Sequence, residues 1–412
     1  MSEQTFLPYG RQHIIESDIA EVASVLQSDW LTQGPKIPEF EHALADRLNA
    51  KEAVVCTSGT AALHLCMLAL GIGEGDAIIT TPNTFAASAN CARYVGAQVR
   101  FADINPNSGL IDIEQIQRIL EQDSSGRIKA IVPVHFAGQP VDLPAIYELA
   151  KKHGAAVVDD ACHAIGATYK HDGAEYTIGG SPHADMTVFS FHPVKHVATG
   201  EGGAITTDSP ELAERLRLFR SHGITREGCI LTELSHNDDG IPNPWYYEMQ
   251  ELGYNYRMSD LQAALGIKQL ERLPASLERR REIASQYRQL IGRTFTGGEV
   301  LPLVTFQNRS HAYHLFVVKI DFAGLGTNRA VVMNRLRVKG IGTQVHYIPV
   351  HLLPYYRREC GTGPGYLPKA EKYYAQALSL PMYPELTDED IHRVVDELAV
   401  ALRAEVMEQA TR

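Results

Sequence analysis

Between residues 53 and 160 short, almost wholly apolar runs alternate with stretches of helical spacing, without any internal sequence repeat. The runs AVVCTS, AIITTP, QVRFADI, KAIVPVHF and AAVVDDA lack the polar alternation of a sheet with one wet face. Each therefore predicts a strand covered on both sides. Helices are expected from SGTAALHLCMLALGI, near 84–95, at 112–121 and at 142–153. Strands alternating with helices at this interval define an α/β domain with a mostly parallel sheet and helices on both faces. TVFSF and GGAITT add later strands.

At 412 residues the chain exceeds what one core usually serves. Upstream of the alternation, 16–27 places Ile19, Val22, Val25 and Leu26 on one helical face behind an acidic start, and a second helix at about 38–49 opens at Pro38. Downstream, 225–250 mixes charge with Gly240, Pro242, Pro244 and the aromatic WYYEMQ, the composition of a long functional loop. A long helix then runs from MSDLQAALGIKQLERL through ERRREIASQYRQL. The expected division falls near 266: a large α/β domain with an N-terminal helical segment over 1–266, and a smaller α+β unit over 267–412. The latter holds AYHLFVVKI at 312–320, a helix at 327–339, GTQVHYIPVH and a closing helix at 386–402.

A formal charge of −11 argues against a nucleic-acid backbone as partner. The six cysteines form no CxxC and no metal-ligand spacing, which reads as reduced thiols. The start MSEQTFLPYGRQHIIESDIA has neither a basic n-region nor an apolar h-region. The most membrane-like stretch, 54–73, is interrupted by Thr57, Ser58, Thr60 and His64. A soluble, cytoplasmic protein with no membrane partner is expected.

The stretch FSFHPVKHVATGEGG at 189–203 places Lys195 between a strand and a glycine cluster. A loop lysine is ordinarily a solvated one. Held against the sheet, its amine can instead bond to a carbonyl, once burial or nearby positive charge leaves it partly unprotonated. Gly200, Gly202 and Gly203 would let the backbone pass close to a flat ligand. VVDDACHA sets Asp159 and Asp160 at the carboxyl end of a buried strand, where open parallel sheets bind ligands. A carboxylate there is either a helix cap or the partner of a cationic nitrogen. Asp160, expected just outside the strand, is the candidate for the second role. TSGTA at 57–61 reads either as a plain helix cap or as a phosphate cup of open backbone N–H groups. Phe85 in TTPNTFAAS is either a core residue or a ring to stack on a ligand. Lysine, aspartate, cup and ring together are what pyridoxal phosphate needs.

Competing motifs fit less well. GIGEGD at 71–76 follows a helix and precedes a strand, the reverse of a dinucleotide loop. The 17 histidines include no HExxH, and His135, His163, His192 and His346 lack zinc-site spacing, so no metal is expected.

TSGTAALH (57–64), TTPNTFAASANC (80–91), DDACHAIGA (159–167), FSFHPVKHVATGEGG (189–203), RSHGI (220–224), LGYNYRMSDLQAALG (252–266), GIGTQVHYIPVH (340–351) and LSLPMYP (378–384) span nearly the whole chain. In this order they resemble the sugar-nucleotide aminotransferases of the DegT/DnrJ/EryC1/StrS family. The resemblance implies fold type I of the PLP-dependent transferases (aspartate aminotransferase-like), pyridoxal 5′-phosphate as cofactor, and a homodimer with shared active sites. SDWLTQGP (28–35) and PWYYEMQELGYNYRMSD (244–260) look most like the pseudaminic acid branch. Its enzyme aminates C4 of UDP-2-acetamido-2,6-dideoxy-β-L-arabino-hex-4-ulose, with L-glutamate as donor.

By that resemblance Lys195 bonds the cofactor, Asp160 meets its pyridine nitrogen and His163 lies beside the ring. Gly59, Thr60 and Ser190 hold the phosphate, while Asn255 reaches the neighbouring subunit's cofactor phosphate. Tyr9, the turn of Asp29, Trp30, Leu31 and Thr32, and the run Gln344, Val345, His346 and Tyr347 line the sugar and nucleotide. Asp159 stands where the family commonly has glutamate. The family's dehydratases carry histidine in place of the lysine, so Lys195 argues against that chemistry. The mostly apolar helix at 258–273 adds to the expectation of a homodimer. Other readings are an aminotransferase for a different UDP- or dTDP-linked keto sugar, a non-catalytic binding protein on the same fold, and a cofactor-free α/β binding module.

Overall fold

The computed structural model describes residues 5–231 and 233–409. Helices α1 (Glu16–Leu26) and α2 (Lys36–Leu48) precede β1 (Glu52–Cys56) and α3 (Gly59–Ala69). The alternation then gives β2 (Ala77–Thr80), α4 (Ala87–Tyr94), β3 (Gln98–Phe101), α5 (Ile113–Gln122), β4 (Ile128–Val132), α6 (Leu143–Lys152) and β5 (Ala156–Asp160). A hairpin, β6 (Thr168–His171) and β7 (Ala174–Thr177), leads to β8 (Met186–Ser190), β9 (Gly203–Thr207) and α7 (Pro210–Arg220).

Seven of these strands make one sheet in the order β1-β9-β8-β5-β4-β2-β3. The pairs from β8 to β3 are parallel, and β9 runs antiparallel to both its neighbours. The mixed edge follows from the short Lys195 loop, which turns the chain straight back from β8 into β9, whereas a parallel neighbour needs a crossover. β2, β8 and β9 are buried almost throughout, as runs without alternation require.

Beyond the sheet, α8 (Asp260–Glu271) and α9 (Leu273–Thr294) replace the single long helix expected from the sequence, with the break at Arg272. Then come β10 (Val300–Pro302), β11 (Phe316–Ile320), α10 (Arg329–Val338), α11 (Pro354–Cys360), α12 (Pro368–Gln376), β12 (Ala377–Leu380) and α13 (Asp388–Gln409). Strands β10, β11 and β12 form a three-stranded antiparallel sheet backed by a second apolar core. The first core takes in Leu273 and Leu277 at the start of α9, and the second begins at Ile283 and Ala284 on the same helix. The described residues of 225–250 are irregular, closed at their ends by a two-residue pairing of Ile224–Thr225 with Glu248–Met249.

Two expectations need correction. Ile19 and Leu26 are 54% and 61% exposed, and α1 instead buries Asp18 and Val25. Asp18 Oδ2 accepts from the Ile15 backbone N–H and from Arg272 and Gln269 of the α8–α9 junction, so a hydrogen-bonded carboxylate sets the inner face. Helix α8 buries Ala263, Ala264, Ile267 and Leu270 against α1 and α2 of its own chain, so its apolar character says nothing about a second copy. Among the described residues, no helix is long and apolar enough to cross a membrane. All six cysteines are free.

Candidate active site

A cleft of about 1160 Å³ lies outside the carboxyl ends of β5 and β8, roofed by the loop 344–348 of the C-terminal unit. This is the position where parallel sheets place ligands. Lys195 enters it from the loop after β8, its backbone N–H held by the His192 carbonyl at 2.8 Å. Its amine has no hydrogen-bond acceptor among the described residues. Burial lowers its affinity for a proton, and Cys162 and Asp160 partly restore it.

Asp159 and Asp160 end β5, and successive side chains on a strand point to opposite faces. Asp160, still laddered to Val188, lines the cleft and is the last strand residue, not the first beyond it as the sequence suggested. Its Oδ2 accepts from Ser88 Oγ at 2.6 Å and its Oδ1 from the Cys162 backbone N–H at 3.1 Å. Asp159 turns away, fully buried, with Oδ2 2.7 Å from His135 Nε2. His135 Nδ1 accepts from the Val141 N–H, which leaves the ring proton on Nε2, facing the carboxylate. Burial pushes the Asp159 carboxyl up, against the pull of His135.

The β1–α3 turn forms the anion cup. Ser58 caps α3 by accepting from the Ala61 N–H at 3.1 Å. The N–H groups of Gly59 and Thr60 have no intrahelical partner and sit on the cleft wall. A Cβ on Gly59 would lie 3.0 Å from Ser190 Cβ and 3.2 Å from Cys162 Sγ, so only glycine brings this backbone so near Ser190. The glycines after Lys195 work differently from expectation. A Cβ on Gly203 would lie 2.4 Å from the Ser58 carbonyl carbon, and one on Gly202 2.3 Å from Thr199 Oγ1. Gly203 lets β9 pack under the cup, and Gly202 lets the loop close on Thr199, so both positions are required by contacts within the chain.

Phe85 is 63% exposed on the cleft wall, so it is no core residue. His163 lines the same wall, buried, and burial followed by the nearby Lys195 charge holds its pKa well below the usual range. Tyr9, Gln344, Val345, His346 and Tyr347 also reach the cleft. Asp29, Trp30, Leu31, Thr32 and Asn255 do not. They lie on an exposed face around the start of α8, where the Asp260 N–H binds the Leu31 carbonyl and Thr32 bridges Ser259. Sequence reasoning missed Ser88, His314, Glu201 and Gln262, all of which line the cleft. Ser88 stood inside a quoted motif, but its partner is 72 positions away and local sequence carries no signal of it.

These residues fit pyridoxal phosphate. An unengaged amine, a carboxylate anchored through both oxygens, two open N–H groups beside a serine hydroxyl and a bare aromatic face converge on one cleft. The fold and the site define a PLP-dependent transferase of fold type I. The chain belongs to the DegT/DnrJ/EryC1/StrS aminotransferase family, whose model matches residues 12–399.

A curated relative, the spore coat polysaccharide biosynthesis protein SpsC of Bacillus subtilis (strain 168), is 42% identical over 392 residues, covering 95% of this chain and 96% of its own. Among solved structures, Helicobacter pylori PseC, an aminotransferase involved in the biosynthesis of pseudoaminic acid, matches with a TM-score of 0.85 at 30% identity. That match covers 97% of this chain and 100% of PseC. The PMP form of Spr1654 from Streptococcus pneumoniae matches with a TM-score of 0.85 at 28% identity, covering 99% of this chain and 100% of its own. The protein is thus an aminotransferase with pyridoxal phosphate as its cofactor.

Proposed function

We propose that this aminotransferase moves the amino group of L-glutamate to C4 of UDP-2-acetamido-2,6-dideoxy-β-L-arabino-hex-4-ulose, giving UDP-4-amino-4,6-dideoxy-N-acetyl-β-L-altrosamine in pseudaminic acid biosynthesis. The observation that carries the amino transfer is the pairing, across one cleft, of the unengaged Lys195 amine with the anchored Asp160 carboxylate. The choice of sugar rests on the likeness to PseC along the whole chain.

When bound, pyridoxal phosphate supplies an aldehyde that takes up an amino group and a ring that accepts electrons from the donor's Cα. The chain's residues do the rest. Lys195 Nζ, its basicity lowered by burial, acts as nucleophile, then takes the proton from the donor's Cα and returns it as general acid. Asp160, fixed by Ser88 and the Cys162 N–H, holds the positive charge of a pyridinium nitrogen. Gly59, Thr60 and Ser190 bind the phosphate, Phe85 covers a ring face, and His163 lies beside the ring. Tyr9 and the run from Gln344 to His346 orient the sugar nucleotide. Glutamate leaves as 2-oxoglutarate, and the keto sugar receives the amino group through the same proton transfers in reverse.

The organisation in this reading is a large unit over 1–266 and a smaller one over 267–412, in a cytoplasmic homodimer. The position of Asn255 and of Asp29 to Thr32 outside their own cleft supports their service to a second copy. A second reading, amination of a different keto sugar, draws on the higher identity to SpsC of spore coat polysaccharide biosynthesis. Assay of the purified protein with L-glutamate and a panel of UDP- and dTDP-linked 4-keto and 3-keto sugars separates the two. Preference for any substrate over the UDP-linked 4-keto sugar named above overturns the first.

A further inference from the structure

The run His346–Tyr347 was expected at the sugar and nucleotide, yet the Tyr347 hydroxyl points to the cofactor end of the cleft. Its Oη lies 3.1 Å from His163 Nε2, and among the described residues it makes no other hydrogen bond. The phenol ring is wedged in place, edge-on to His346 at 4.8 Å and to Phe136 at 6.3 Å, with Phe85 6.5 Å away. His163 is confined from another side by His314, whose ring centroid is 4.3 Å from its own. With the hydroxyl as donor to the neutral ring, the His163 proton sits on Nδ1. That Nδ1 is buried and has no partner among the described residues. Buried donors are almost always paired, so this one awaits an acceptor brought by a ligand.

We infer that Tyr347 is a positioning residue for the cofactor: through its hydroxyl it fixes the tautomer and tilt of His163, so that Nδ1–H is presented to an oxygen of bound pyridoxal phosphate. His314 packs against the same imidazole and restrains its rotation. The inference rests on the proposed function only in taking His163 as a neighbour of the cofactor, and it removes Tyr347 from the residues that read the sugar. The neutral state of His163 that it requires agrees with the fall in its pKa caused by burial and Lys195.

The test compares the full-length wild type with Tyr347→Phe, which keeps the wedged ring and removes only the hydroxyl, with His163→Asn, and with the double variant. The readouts are the pyridoxal phosphate dissociation constant, followed by absorbance on equilibrium dialysis, and KM for the keto sugar. Tyr347→Phe is expected to weaken cofactor binding roughly three- to tenfold, the scale of one neutral hydrogen bond, with KM for the sugar unchanged. The double variant should bind the cofactor no more weakly than His163→Asn alone. An unchanged dissociation constant in Tyr347→Phe, or effects that multiply in the double variant, would overturn the inference. A raised KM with cofactor binding intact would also do so, and would return Tyr347 to the sugar subsite. Wild type that binds the cofactor but aminates none of the sugars refutes the proposed substrate alone, since the dissociation constants decide the role of Tyr347.

Discussion

Asp159 and Asp160 are identical side chains one position apart, and the pleat of β5 gives them different work. Asp160 faces the cleft and Asp159 faces His135 in the core. Lys195→Ala should lower turnover by at least about a hundredfold while the chain still folds, measured as 2-oxoglutarate release beside a circular dichroism spectrum. Retained turnover would end the nucleophile assignment. Ser88→Ala removes one anchor of Asp160. It should cost about 1 kcal/mol of stability and a larger factor in kcat than in KM, since Asp160 acts on the reacting centre. His135→Ala leaves Asp159 buried without its partner, and denaturant titration should show a loss of about 3–5 kcal/mol, partly restored by adding Asp159→Asn. Lys195, Asp160 and the cup were legible because their chemistry is written in residue type and strand position. Ser88, His314 and the true partner of Tyr347 were not, because each depends on a contact between distant segments.

At the scale of elements, apolar runs without alternation foretold β1, β2, β5, β8 and β9, because strands buried on both faces leave no polar positions. The expectation fails for β3, which lies at the sheet edge and alternates, exposing Gln98 and Arg100, and in part for β4, which exposes Lys129. The hairpin β6–β7 went unread although its signal was present. Asp172 and Gly173 both take positive φ, at 49° and 79°, the backbone that a tight Asp-Gly turn between alternating strands demands. The inner face of α1 was misread because hydrophobicity alone was counted, and a buried Asp18, held through Oδ2 by Arg272 and Gln269, outweighed Ile19. The glycines at 202 and 203 were read as room for a ligand, whereas Gly203 is the contact that seats β9 against the cup and Gly202 packs against Thr199, Met258 and Phe191. Gly203→Ala should therefore destabilise the fold by about 1–3 kcal/mol and weaken cofactor retention, measured by thermal denaturation and dialysis. An unchanged melting temperature would contradict that account.

The whole molecule gathers buried neutral histidines around the site. His163, His196 and His314 lie well below the ordinary histidine pKa through burial and the charge of Lys195 or Arg280, and His311 and His346 are pushed down to about 3 by burial. The unfolded chain therefore takes up protons first as pH falls below about 6.5, and each such histidine removes up to about 1.4 kcal/mol of stability per pH unit. This contribution is whole above about pH 6.5 and declines below it, continuing for His311 and His346 toward about 3. Urea titrations at pH 7.5 and 5.5, at equal cofactor load, should show a marked loss at the lower pH, and equal midpoints would contradict the buried neutral cluster. The exposure of Asn255, Trp30 and Leu31 outside their own cleft predicts a dimer by analytical ultracentrifugation, with Asn255→Ala reducing cofactor affinity only in the assembled form.

The central claim, that Lys195 and its cleft run an amino transfer from L-glutamate, is tested most directly by the visible spectrum of the purified protein before and after L-glutamate is added. The account predicts a long-wavelength band of lysine-bound cofactor that gives way to the shorter-wavelength band of the amine form, with 2-oxoglutarate released in equal amount. A spectrum that stays featureless after added pyridoxal phosphate, or a band that L-glutamate leaves unchanged, would contradict it.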